Sequence, residues 1–144
     1  MEEQERKIWQ RVTGGMRQEN CDIRPLLLAA TENAAVFGHL AGLLSGKPRE
    51  RMRGLRELAR RTLDGLKGIQ AMSGYPAGDL RPPLIPREPA RRLLEKSYHR
   101  SRQLITEYTA RMTDPEYGVV YQTLADRERE TAAVLAEVIG SLEV

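Results

Sequence analysis

The residues able to do chemistry are few and thinly spread. Glu128 and Thr131 lie three apart in YQTLADRERETAAVL, Glu95 and His99 lie four apart, and Glu32 and His39 share an apolar stretch upstream. Residues three or four apart project from one helix face, so a carboxylate and an imidazole at that spacing can grip one divalent cation. Only Glu95 with His99 offers both groups, and that pair reads as a local polar contact. Apart from that pair, neither His39 nor His99 has a further ligand at metal-binding spacing on its face, so both read as surface or hydrogen-bonded residues. No Gly-x-Ser-x-Gly elbow appears, and Cys21 has no base patterned beside it, which leaves no nucleophilic centre. Gly14-Gly15 follows a helical pattern rather than a strand, so it reads as a break and not as a phosphate cradle.

What must position such residues is a single soluble domain. A chain of 144 residues buries roughly 70% of its extended-chain surface on folding. Leu, Ala, Arg and Glu dominate, with one Phe and one Trp, a composition that favours helix over strand. One cysteine cannot form an internal disulfide, which points to a reducing compartment. No signal-like run appears and no stretch approaches the ~20 apolar residues of a membrane span. A cytoplasmic protein without a membrane partner is expected.

The net charge of +3 is unevenly spread: Lys47 to Lys67 holds eight basic and three acidic residues, Asp126 to Val144 five acidic and two basic. Arg51, Arg53, Arg56, Arg60 and Arg61 could form a phosphate track. The segment lacks interleaved aromatics, however, and Glu50, Glu57 and Asp64 stand ready to pair with it. It reads as a solvated helix face, so nucleic acid is not an expected partner. The basic second helix and acidic fourth could instead meet inside the bundle or across a dimer.

Helical periodicity marks four segments. Ile23, Leu27, Ala30, Ala34, Phe37, Ala41 and Leu44 form the inward stripe of the first, from about Asp22 to Ser45. The second, Pro48 to Ser73, turns Leu55, Leu58, Thr62, Leu66, Ile69 and Met72 or Ser73 inward. The third, Pro89 to Met112, uses Leu94, Tyr98 or Ser101, Ile105, Tyr108 and Met112. Leu124, Glu128, Thr131, Leu135, Val138 and Leu142 line the fourth, Pro115 to Leu142. Thr113-Asp-Pro-Glu116 reads as a capping box with threonine at the N-cap. Between helices two and three lies GYPAGDLRPPLIPRE, Gly74 to Glu88, rich in proline. Fifteen extended residues reach roughly 50 Å, whereas a helix of about 24 residues is roughly 36 Å long. The predicted fold is therefore an all-α four-helix bundle over 21–144, two hairpins joined by one long crossover. Residues 1–20 form a separate amphipathic segment, with Ile8, Trp9 and Val12 on one face. It is read as a short helix on the bundle side or a partner-docking arm.

The two halves carry related wording: TENAAVFGHLAGLL with LRELARRTLDGL, then LITEYTARMTDPE with YQTLADRERETAAVL. Over about residues 22 to 142 the chain resembles the ferritin-like superfamily, nearest to its small rubrerythrin-like bundles. That resemblance implies a glutamate from the first helix of each hairpin and Glu-x-x-His from the second, six ligands around two bridged irons. The positions carried over are Ala30, Thr62, Gly65, Tyr98 or Ser101, Glu128 and Thr131. Only Glu128 keeps a ligand. Glu32 lies about 200° round the helix from Ala30 and is expected off the axis.

One carboxylate cannot compensate two divalent ions for leaving water. The expectation is a metal-free, non-enzymatic bundle with a structural or protein-interaction role, forming a homodimer. The alternative is an iron- or manganese-binding protein or oxidoreductase using a rearranged set, Glu32, Glu128, Glu95 and His99. In the metal-free reading Tyr98, Met72, Met112 and Phe37 are the candidate fillers of the former chamber, since packed interiors avoid voids. Glu128 is then a buried carboxyl, protonated or hydrogen-bonded to Tyr98, Thr62 or Thr131.

Overall fold

The computed structural model describes residues 22–74 and 78–142, so the expected N-terminal helix and Cys21 lie outside the described residues. Four helices and no strand are present among them: α1 Arg24–Leu43, α2 Gly46–Ser73, α3 Ala90–Ala110 and α4 Gly118–Leu142.

Each junction has a local cause. Pro25 opens the first turn of α1, where its missing N–H is not needed. Arg49, in the first turn of α2, donates from Nε to the carbonyls of Ala41 at 2.9 Å and Leu44 at 2.8 Å. It thereby closes the C-terminal end of α1. Gly74 ends α2 at φ +80°, a left-handed position that suits glycine. At the α3–α4 turn the cap is Asp114, not the expected Thr113. Asp114 Oδ1 accepts from the backbone N–H of Glu116 at 2.8 Å and of Tyr117 at 2.9 Å. Pro115 takes the first-turn position just after it. The turn then folds so tightly that a Cβ on Gly118 would collide with the Met112 carbonyl oxygen.

Two apolar clusters fix the order and direction of the helices. One joins Ile23, Leu27 and Ala30 of the α1 start to Leu66 and Ile69 late in α2, Leu104 and Tyr108 late in α3, and Tyr121 and Leu124 early in α4. The other joins Phe37 and Leu40 to Met52 and Leu55, Leu93 and Leu94, and Leu135 and Val138. Helices α1 and α4 therefore run one way, α2 and α3 the other. Besides the hairpin partners, α1 packs on α3 and α2 packs on α4, which leaves α1–α4 and α2–α3 as diagonals. Residues Gly78 to Pro89 consequently return along the bundle, with Leu80 against the first cluster and Ile85 against the second, to start α3 at the opposite end.

Three expectations need correction. Met72 is 77% exposed rather than inward. A stripe read every three and a half residues drifts on a straight helix, and Met72 lies about 100° round from Leu55. Leu142, in the last turn of α4, is 39% exposed rather than inward. Finally, α1 is, among the described residues, long and apolar enough to cross a membrane by length and composition, with mean hydropathy 1.3. Arg24 and Glu32 are its only charged residues, and Leu26, Leu27, Val36, Phe37 and Leu40 spend its apolar character inside the bundle.

Candidate functional site at the bundle waist

Between the two apolar clusters all four helices turn polar side chains inward. Asn33 of α1, Thr62 of α2, Ser97 and Ser101 of α3, and Glu128 and Thr131 of α4 are each at most 5% exposed. The helix register explains the layer. Asn33 sits three after Ala30, Ser101 four after Ser97, and Thr131 three after Glu128, so each set shares one face.

The six carried-over positions separate cleanly. Ala30, Thr62, Ser101, Glu128 and Thr131 are buried. Gly65 is half-buried, with Leu124 Cδ2 at 3.9 Å from where a Cβ would stand. On α3 the inward residue is Ser101; Tyr98 is half-buried against the second apolar cluster. Phe37 lies in that same apolar cluster rather than at the waist, while Met112 packs partly buried on the first. The largest fully buried side chains are Tyr108 and Tyr121, both in the first cluster. Tyr121 was missed as a filler, although it precedes Glu128 by seven residues, a spacing that repeats one helix face.

Electrostatics single out Glu128. Burial pushes its carboxyl up from 4.5 to about 7, against smaller opposing effects from the Ser101 hydroxyl and the Arg100 guanidinium. Ser101 is the nearest polar neighbour, yet Ser101 Oγ and Glu128 Oε1 both lack a well-formed hydrogen-bond partner, as do Ser97 Oγ and the Tyr108 hydroxyl. Thr131, an expected partner, instead donates to the Arg127 carbonyl at 3.0 Å. Burial, with Glu128 next in effect, also raises the Tyr108 phenol.

Arg100 was not singled out from sequence, and it links the waist to the surface. Its Nη1 donates to Asn33 Oδ1 at 3.0 Å and its Nη2 to Glu32 Oε1 at 2.8 Å, spanning the α1–α3 seam. Glu32 is thus off the axis, as expected from its angle, but held by a cation. The only advance signal was Glu32 itself, since a half-buried carboxylate needs a partner.

Glu95 and His99 are exposed, and Glu95 accepts from Arg91 at 3.2 Å, so it does not pair with His99. The edge of the His99 ring meets Tyr98, centroids 6.0 Å apart. His39 is exposed as well. Glu32, Glu95, His99 and Glu128 are not brought together. No group of three or more His, Cys, Asp or Glu among the described residues is placed to hold a metal ion. On the outer surface, Arg51 meets Glu137 at 3.1 Å, joining basic α2 to acidic α4 within one chain. Arg53 pairs with Glu50 at 3.0 Å.

With this geometry in hand, comparison with protein-family models, curated proteins and solved structures yields no match to the chain.

Proposed function

We propose that this chain is a ferritin-like bundle without a metal centre, acting not as an enzyme but as a structural or protein-binding module in the cytoplasm. The observation that carries the reading is the waist. Glu128 is its sole carboxylate, among Ala30, Thr62, Ser101 and Thr131. The ferritin-like topology is supported by the pairing of α1 with α3 and of α2 with α4, the arrangement that one long crossover produces. Self-association as a homodimer belongs to the same reading. The exposed Met72 and Val119, at the same end of the bundle on the neighbouring helices α2 and α4, supply apolar surface for it.

Elemental analysis of protein purified from iron-supplemented growth, with an ultraviolet–visible spectrum beside it, tests the reading. Substoichiometric iron and manganese and no ligand-to-metal band are expected. Two metals per chain would reject it and revive an oxidoreductase or iron-binding role built from rearranged ligands. Sedimentation equilibrium tests the dimer, and a monomer mass at high concentration would remove that part.

A further inference from the structure

The crossover does more than connect two helices. In Arg81-Pro-Pro-Leu-Ile-Pro-Arg87, proline fixes φ at 82, 83 and 86, and the residue before each proline is pushed to extended ψ. Those restrictions favour the left-handed extended helix of three residues per turn. The chain is pinned on either side and once within: Leu80 packs on the first apolar cluster and Ile85 on the second. Glu88 accepts from Lys96 Nζ at 2.6 Å. Ile85 and Glu88 are half-buried against the bundle, whereas Arg81, Pro82, Pro83, Leu84, Pro86 and Arg87 are exposed, Leu84 to 99%. With a period of three, Pro83 and Pro86 share one edge, which also borders a shallow cavity with Val36 and Leu93, and Arg81, Leu84 and Arg87 share another.

A plain connection needs extension but has no use for a fully exposed leucine between two arginines. Leaving such a side chain in water costs hydrophobic free energy that a partner can recover. The segment is also already ordered by its neighbours, so binding would cost it little conformational entropy. We propose that Arg81–Arg87 is a docking strand for a partner protein whose aromatic-lined groove takes proline-rich extended segments. Leu84 and the Pro83–Pro86 edge enter that groove, and carboxylates at its rim receive Arg81 and Arg87. Arg81 is held outward by Asp79 at 3.3 Å, a contact the rim carboxylate would replace. This gives the protein-binding reading a partner chemistry and rests on it. Metal content tests the metal-free part separately, so the two can fail independently.

The full chain, labelled with nitrogen-15, is titrated with a panel of purified SH3 and WW domains, two module types with such grooves. At least one is expected to bind and to shift signals confined to about residues 79–88. Leu84→Ala and the double variant Pro83→Ala/Pro86→Ala are expected to weaken that binding about tenfold or more, near 1.4 kcal/mol. Leu84→Ala should leave the urea midpoint unchanged, because its side chain touches nothing. The proposal is overturned if no domain in the panel binds, if the shifts fall on the helices instead, or if the variants bind as the parent does.

Discussion

The two ends of the bundle and its waist are built by the same four helices, yet they answer to different physics. At the ends, leucine, isoleucine and phenylalanine meet in two clusters, and burial of apolar area drives the packing. At the waist, Glu128 Oε1, Ser97 Oγ, Ser101 Oγ and the Tyr108 hydroxyl have left water without gaining a well-formed hydrogen bond. Unsatisfied groups of this kind oppose folding. The ends hold the fold together, and the waist is tolerated between them.

The comparison breaks most easily at Phe37, which is fully buried in the second cluster. Phe37→Ala should cost about 3–5 kcal/mol in urea unfolding, transfer and cavity terms together. A loss below 1 kcal/mol would mean the ends do not carry the fold.

Glu128→Gln tests the waist. In the folded chain the carboxyl titrates at about 7 instead of 4.5, so between those values the unfolded chain has released a proton that the folded chain still holds. Stability therefore falls as pH rises through that window, by up to roughly 3 kcal/mol, and stays low above it. Below about pH 4.5 the penalty is absent. The variant should equal the parent at pH 4, exceed it at pH 8, and flatten the slope between. A variant less stable at pH 8 would mean that an ionised Glu128 has a partner.

A smaller effect separates the two candidate caps of the turn that leads into α4. Asp114→Ala should cost about 1 kcal/mol through loss of its bonds to Glu116 and Tyr117. Thr113→Ala, one residue earlier, should change the thermal midpoint little. Smallest of all is Ser97→Ala. The hydroxyl is fully buried and unpartnered, so its removal should be neutral or stabilising by up to about 1 kcal/mol. A loss would show that a hydrogen bond is formed there in solution.

Much of the fold was legible because helical periodicity is a local signal. Leu27, Phe37, Leu55, Leu66, Leu124 and Leu135 were read inward and are buried. The long proline-rich link between two short turns likewise implied that α3 begins at the far end from where α2 stops. Register was less legible. Tyr98 and Ser101 lie about 60° apart around α3 on the helical turn of 100° per residue, within the width of an apolar stripe. Only packing against α1 and α4 selects the serine. Arg100 was invisible for a related reason, since its partners Asn33 and Glu32 lie on another helix far along the chain.

By itself, the order of residues determined four amphipathic helices, where they break, and a middle that keeps one acid, Glu128, among small and hydroxyl side chains. Each of these depends on neighbours within a turn or two. Tertiary structure alone decided which hydroxyls are buried beside Glu128, that Arg100 bridges to α1, and that Leu84 stands clear of the protein. Those outcomes depend on distances between segments remote in the chain, and such distances exist only once the helices have packed.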